Sequence, residues 1–530
     1  MRPIKACLQC RTAKRKCDRK HGSACSQCAV RNIACSDSVK AVTLTPPPAR
    51  LPLPPRASPV DEETILLVDL YFRFIHDQPH SLFHKPSLRS SVLAGLVSKP
   101  VLYGILGNAA RFAHDPAIRA RGATYIAKAK AALKDCLEEI SLENIQACIL
   151  IGNTCFGDCN ADAESLYFVL AIRMCQILKL GTVNEADDGV TRETKRRIFW
   201  SCFIIDTWAS GGSDLSRQFQ WRANGPRLPM NEVDFDAMRP GDSDVPESKW
   251  RPGFWAYMVS LVEIYTKIMN FYVLLAETHE WDEAMIDEEV RNLDRQLTEF
   301  DNSLDPEWHF SPENLRAFTE KGIGSVFVAF HLGYHHYWTL LFYQYLDRRR
   351  PATRNGKAYS DRCKTHARIV CDILRLSRSD SKAPGMYNIV GHLTIVSSSV
   401  LLHTYLFGET YELEDAKRRL ESNLESLVQL RGYWPSVELM IHRLVVFQKN
   451  CIWSMGRNTY RFDKWMVKFL IAHSLALEDK EEGAQMQAEA LPDHVPGIEP
   501  LERTRITHSM FMDLQGADWN LVPTGSSSHS

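Results

Sequence analysis

The sequence lacks the apolar N-terminal run of a secretory leader: Arg2 and Lys5 give a positive start, but no hydrophobic stretch follows. Disulfides are therefore not expected, although the chain holds 15 cysteines. Also missing are a P-loop, a G-x-G-x-x-G turn, a G-x-S-x-G elbow and an H-E-x-x-H helix, which weakens any enzymatic reading of the large C-terminal part. Period-two alternation with hairpin turns is scarce, which argues against a β-rich fold. No heptad repeat runs between Ser36 and Val60, and the seven prolines of residues 46–59 would break one, so a dimerising coiled coil is excluded there. The longest apolar stretch, VFVAFHLGYHHYWTLLFYQYL at 326–346, is interrupted by three histidines and a glutamine, so no membrane span is expected.

What is present is concentrated at the N-terminus. Cys7, Cys10 and Cys17 are spaced C-x2-C-x6-C, and Cys25, Cys28 and Cys35 repeat that spacing. A C-x2-C pair places two thiolates where one tetrahedral zinc can take both. Two zinc ions with four sulfurs each need eight ligand positions, which six cysteines fill only if two of them bridge. The repeat makes the first cysteine of each half equivalent, so Cys7 and Cys25 are the natural bridges. Cys10 and Cys17 then complete one ion, and Cys28 and Cys35 the other. The rival is a single four-thiolate site from Cys7, Cys10, Cys25 and Cys28, which leaves Cys17 and Cys35 without a purpose.

The residues between the ligands are basic. Arg11, Lys14, Arg15 and Lys16 lie within CRTAKRKC, and Arg19 and Lys20 follow. Residues 1–35 carry a formal +8, and the rest of the chain −9, within a total of only −1. Six thiolates and two Zn2+ would leave the head at about +6, a charge that attracts nucleic acid in a salt-dependent way. Basic runs also serve as solvated surface or import signals, but one fixed beside a metal site points to double-stranded DNA.

Residues 5–36 resemble the fungal Zn2Cys6 binuclear cluster domain. The resemblance implies a short helix after the second cysteine whose tip enters the major groove at a CGG-type triplet. It places the base-reading lysine at Lys14, able to donate to guanine O6 and N7, with Arg11 and Lys16 on phosphate. Asp18, directly after the third cysteine, fits the pattern. Ala13 stands where a second basic residue is usual, so base contact rests on Lys14 with help from Arg15. Ser23 replaces a common proline and loosens the loop between the halves.

After the proline-rich linker, 37–59, comes a body at 60–477 with helical periodicity. Ser58-Pro59-Val60-Asp61 reads as a capping box with proline at the first helical position, and Leu67, Leu70, Tyr71 and Phe74 recur on one face. Residues 142–155 and 162–180 predict two more helices, with Gly157 between them and Gly181 as a cap. Thr191 opens another that ends at Gly211-Gly212. The fold class is all-α, with about fifteen to twenty helices. The stretches 70–88, 164–181 and 194–212, and NGPRLPMNEVDF at 224–235, resemble the fungal transcription factor regulatory domain, the middle homology region. The resemblance implies a helical array that tunes activity.

Other constellations read as structure. His331 and His335 share a helical face, but no nearby acid supplies a third ligand, so they and His336 read as core or pocket-lining residues. Cys155 and Cys159 read as buried thiols. Arg348 to Arg350, beside Pro351, read as a solvated helix end, with nuclear import as the alternative.

The tail, 478–530, holds ten acids and three bases, a net −7, and reads as disordered. Within it Met510, Phe511, Met512, Leu514, Trp519 and Leu521 sit among acids, a pattern suited to docking on a coactivator as a short helix, or to packing back on the body. The expected function is thus nuclear, sequence-specific regulation of transcription by RNA polymerase II, as an activator, of a metabolic or secondary-metabolite gene cluster. A DNA-bound repressor is the alternative, and an enzyme tethered to DNA a more distant one. A homodimer would have to form through the body.

Overall fold

The computed structural model describes residues 6–18, 24–31, 35, 60–78, 80–219, 225–278, 282–346, 353–455, 463–479 and 498–516. The chain divides into two compact units, Met1–Ser58 and Pro59–Ser530. The linker expected at 37–59 and the basic run Arg348 to Arg350 lie outside the described residues.

The first unit contains two one-turn helices, α1 (Leu8–Thr12) and α2 (Ser26–Ala29). Its core is made of sulfur: Cys7, Cys10, Cys25, Cys28 and Cys35 are buried together, with Cys17 packed against them.

The second unit is all-α, with nineteen α-helices among the described residues and β pairing limited there to an isolated bridge, Met230 to Pro252. Its first helix, α3 (Glu62–Phe74), is capped by the Asp61 carboxylate, which accepts from the Thr64 N–H at 2.6 Å. The cap is therefore Asp61 and not the expected Ser58, because an acid satisfies the free N–H and also complements the positive end of the helix. Leu67, Val68 and Tyr71 form its buried stripe.

Helix α4 (Leu142–Gly157) is capped by Ser141 and is buried on every side from Asn144 onward. Gly157 belongs to its last turn. The glycine serves packing, since a Cβ there would lie 2.5 Å from the Trp434 ring. The turn itself falls on Cys159, which adopts a left-handed backbone (φ 61°) and is exposed, contrary to the expected buried thiol. Helix α5 (Ala161–Ile177) follows and ends before Gly181. Lys179 supplies the left-handed residue (φ 51°), while Gly181 lies under the Phe199 ring.

Helix α6 (Gly189–Gly212) starts two residues before Thr191, whose N–H is capped by Asp188 at 2.8 Å. It carries an ion pair sealed in the core. Glu193 is fully buried and Arg197 is 1% exposed. Arg197 donates to Glu193 Oε1 at 3.0 Å, to Ser81 Oγ at 2.9 Å and to the Met230 carbonyl at 2.7 Å. Glu193 Oε1 also accepts from the Met230 N–H at 2.9 Å. Two residues further on, Glu232 accepts from the N–H groups of Phe254 and Trp255 at 3.1 and 3.0 Å, fixing the start of α7 (Phe254–Glu277). Residues from both motif-like stretches, Arg197 and Met230, thus meet in one hydrogen-bonded joint.

The centre is built from α8 (Gly324–Phe342) and α9 (Val390–Phe407), whose side chains are buried almost all round. Both α7 and α9 are long and apolar enough to cross a membrane by composition alone, but 94% of the apolar window of α9 is buried within the unit. Ring contacts seat the histidines of α8 in the core, His331 lying against Phe327 with ring centroids 4.3 Å apart. His335 Nδ1 lies 2.9 Å from His366 Nδ1, and His336 packs edge-on to His392.

Within the acidic tail, Ile498–Gly516 forms a helix, α10. Phe511 and Leu514, three residues apart, are buried, and the Leu514 carbonyl accepts from Arg431 at 3.0 Å. Met510 is partly buried and Met512 is exposed, so part of the apolar set packs back on the body. Trp519 and Leu521 lie outside the described residues.

Candidate metal centre and nucleic-acid interface

The two halves of the cysteine repeat fold alike. Cys7 occupies the N-cap of α1 and Cys25 the N-cap of α2, both with extended backbones (ψ 157° and 151°). Cys10 and Cys28 then fall at the third helical position, one turn from the cap, so each C-x2-C pair presents its two sulfurs on one side. The Cys10 N–H donates to Cys7 Sγ at 3.5 Å. Between the halves, Cys7 Sγ lies 3.8 Å from both Cys25 Sγ and Cys28 Sγ, and Cys10 Sγ lies 3.6 Å from Cys25 Sγ.

The sulfurs form two groups of four, each with all ligand atoms within 4.8 Å of one another. One is Cys7, Cys10, Cys17 and Cys25, and the other Cys7, Cys25, Cys28 and Cys35. Cys7 and Cys25 are common to both. No such group forms elsewhere among the described residues, and none includes His331, His335, Cys155 or Cys159.

Packed so closely, Cys10 and Cys28 resist ionisation. Burial pushes the Cys28 thiol up to about 12, with Cys25 and Cys7 adding to it. Burial likewise raises Cys10, with Cys7 and Cys25 again contributing. Ionising such a cluster needs positive charge at its centre, which Zn2+ supplies; six thiolates on two zinc ions carry a net −2. The donor set fits that metal in type and number, and with all positions taken by sulfur the role is structural. The binuclear cluster domain holds two zinc ions.

The basic segment leaves the cluster through a sharp turn. Helix α1 already contains Cys10 and ends at Thr12, so it begins before the second cysteine and not after it. Lys14 lies beyond its end in a left-handed conformation (φ 49°). The turn is held by Lys14 N–H to the Arg11 carbonyl at 3.1 Å and Arg15 N–H to the Cys10 carbonyl at 2.9 Å. Arg11, Lys14, Arg15 and Lys16 are all exposed. The carbonyl of a cluster cysteine, Cys10, therefore anchors the base of the loop that presents four cations.

Asp18 has a role that sequence spacing did not disclose. Its Oδ1 accepts from the Ser26 N–H at 2.9 Å, tying the end of the first half to the start of α2. The aspartate next to a cysteine was visible in the sequence, but its partner eight residues away was not. Ser23 lies outside the described residues.

The comparisons with known proteins agree with this geometry. Residues 5–42 match the fungal Zn(2)-Cys(6) binuclear cluster domain, and residues 68–305 the fungal specific transcription factor domain. A Zn(2)-C6 fungal-type transcription factor of Fusarium oxysporum f. sp. lycopersici, FTF1a, is 22% identical over 435 residues, covering 73% of this chain and 39% of that protein. FTF2 of the same organism is 22% identical over 432 residues, covering 73% and 40%. An uncharacterized transcriptional regulatory protein of Schizosaccharomyces pombe is 30% identical over 219 residues, 38% of this chain and 22% of its own length. The chain spans less than half the length of the curated relatives it matches. With a paired four-sulfur cluster at its head and the matching helical domain behind it, the chain belongs to the fungal Zn(2)-Cys(6) transcription factors, a family of regulators and not of enzymes.

Proposed function

We propose that this chain is a nuclear, sequence-specific DNA-binding regulator of transcription. Cys7 and Cys25 bridge the two zinc ions, Cys10 and Cys17 complete one, and Cys28 and Cys35 complete the other. The observation that carries the reading is the pair of four-sulfur groups sharing two cysteines, with an exposed cationic turn rooted on one of the ligands. Lys14, at the apex of that turn, reads guanine in a CGG-type triplet with help from Arg15, and Arg11 and Lys16 hold phosphate. Supporting this, all four side chains are exposed, so their charge is available to a polyanion.

Selection of binding sites from random duplexes by the zinc-loaded full-length protein tests the reading. Enrichment of a CGG-type triplet is expected, and the recovered spacing reports whether one or two heads bind. Enrichment of no sequence, with binding that fades uniformly as salt rises, would reduce the head to a nonspecific polycation.

Activation is the favoured direction of regulation. The exposed Met512 and the acids of the tail would dock on a coactivator once Phe511 and Leu514 leave the body. Truncation after Pro500, with DNA binding measured separately, should lower reporter output; unchanged output would assign the tail to packing alone.

A further inference from the structure

The turn that leaves the sulfur cluster exposes every residue from Arg11 to Lys16, and one of them offers neither charge nor a side-chain hydrogen bond. Arg11, Lys14, Arg15 and Lys16 are cations and Thr12 carries a hydroxyl, whereas Ala13 carries only a methyl group. That methyl takes no part in the sulfur core, which is built from Cys7, Cys10, Cys25, Cys28 and Cys35 with Cys17 packed against them. Nor is its position loose. Ala13 is the C-cap of α1, and its N–H donates to the Gln9 carbonyl at 3.1 Å. The Lys14 and Arg15 N–H groups donate in turn to the carbonyls of Arg11 and Cys10, at 3.1 and 2.9 Å. Three successive backbone bonds therefore tie Ala13, Lys14 and Arg15 to the helix that contains Cys10, and the methyl is held at a set offset from the Lys14 backbone.

Beside a duplex, that offset matches the spacing of the bases. Consecutive Cα atoms lie about 3.8 Å apart, and successive bases along a strand are separated by about 3.4 Å. With Lys14 on a guanine, Ala13 falls in register with a neighbouring pair. A methyl group makes no hydrogen bond there. Over guanine O6 and N7, or over the cytosine amino group, it displaces water and returns nothing. The major groove has one apolar feature that repays the contact, the 5-methyl group of a pyrimidine, which thymine carries and unmodified cytosine lacks. Alanine also has no side-chain rotamers to freeze, so the contact costs no side-chain entropy.

We infer that Ala13 is a specificity-determining residue, its methyl packing on the 5-methyl group of a pyrimidine in the base pair next to the guanine read by Lys14. This rests on the reading of Lys14 proposed above and adds to it a second, apolar position of readout. Thymine and 5-methylcytosine present the same methyl group, so either base supplies the contact.

The test uses the zinc-loaded full-length protein on the duplex selected from random sequence, with the Lys14 guanine identified by the discrimination that Lys14→Ala loses. Selection should enrich a T·A pair on one side of that guanine. Replacing its thymine by uracil removes the methyl and nothing else, and should weaken binding about fourfold. Cytosine at the same place should bind more weakly than thymine, and 5-methylcytosine should recover the loss, which shows whether the methyl alone is read. In Ala13→Gly the thymine and uracil duplexes should bind equally. Ala13→Lys, which should move the preference to guanine at that pair, serves if the glycine variant does not hold zinc. Thr12→Ser, which removes the methyl of the preceding exposed residue, should leave the thymine preference intact. Selection that enriches no sequence at all would strike down the reading of Lys14 and this inference with it. A selected guanine with no T·A preference on either side, equal binding of thymine and uracil, a preference that survives Ala13→Gly, or one that vanishes in Thr12→Ser would overturn the assignment to Ala13 and leave the reading of Lys14 standing.

Discussion

The two units of this molecule are held together by different physics, and their sequences show it to different degrees. In the first, five of the six cluster cysteines are the buried core, so the folding free energy resides in metal coordination. In the second, the core is several hundred residues of helix packed on aliphatic and aromatic side chains, with a few sealed polar joints. A small unit cannot bury enough apolar surface to stand alone, and a large one has no need of a metal. The sharpest break of this comparison is chemical. Cys7→Ser, or thorough chelation of the wild type, should abolish specific DNA binding and unfold the head, because Cys7 belongs to both sulfur groups. The helical signal of the body and its melting temperature should stay where they were. A chelated protein that still binds its selected site, or a body that melts with the metal, would erase the distinction.

The next largest effect lies in the body. Arg197→Ala leaves the fully buried Glu193 carboxylate facing only the Met230 N–H and Arg196, and removes donors to Ser81 and Met230. Breaking one side of a buried pair costs on the order of 3–5 kcal/mol. Urea unfolding of the body should register that loss, while zinc content and DNA affinity remain unchanged. Arg197→Met with Glu193→Gln should recover part of it, since the uncompensated charge is gone. A loss under about 1 kcal/mol would mean that water reaches the joint and screens it.

The same contrast explains what could be read from the sequence. The head was legible nearly to the ligand, because C-x2-C is a local device: one turn of helix brings both sulfurs to one face, and the repeat duplicates it. The helical class of the body and the span of α4, α5 and α6 were legible from apolar periodicity and from caps such as Ser141 and Asp188. The capping of α3 by Asp61 was misplaced by one turn, since Ser58 and Asp61 are both good caps and the acid adds its charge at the positive end of the helix. Gly157 and Gly181 were misread as turn residues when their lack of a side chain serves Trp434 and Phe199. The joint of Glu193 with Arg197, Ser81 and Met230 spans up to 116 residues of sequence, so no spacing rule reveals it. Glu164 did leave a trace, as an acid on the buried side of α5.

Lys14 provides a smaller test, confined to the head. Its backbone is left-handed, a conformation that costs an ordinary residue roughly 1 kcal/mol and glycine almost nothing. Lys14→Gly should therefore ease the turn, whereas Lys14→Ala should leave its strain in place. Both remove the ammonium, so both should lose about 1–3 kcal/mol on the selected site and discriminate less at one guanine. Loss of equal size on random DNA would show Lys14 to be a phosphate contact. Retained discrimination in the glycine variant alone would show that the turn, and not the amine, carries specificity.

The smallest expected effect belongs to the body and is seen only through pH. Glu164 is raised from 4.5 to about 8 by burial, so between those values the folded state keeps a proton that the unfolded chain releases. Stability must then fall as pH rises through that window. The buried histidines act in the opposite sense and over a different range. His336, His366 and His473 are lowered to about 3, so the unfolded chain takes up more protons only below its ordinary 6.5, and their contribution is lost as pH falls below that value. Between pH 6.5 and 8 the histidines are neutral in both states and Glu164 stands out. One proton over that interval amounts to about 2 kcal/mol, at 1.36 kcal/mol per pH unit. Melting of the body, followed by its helical signal, should drop across the interval in the wild type and stay flat in Glu164→Gln. Parallel slopes for wild type and variant would mean that Glu164 is solvated in the folded body.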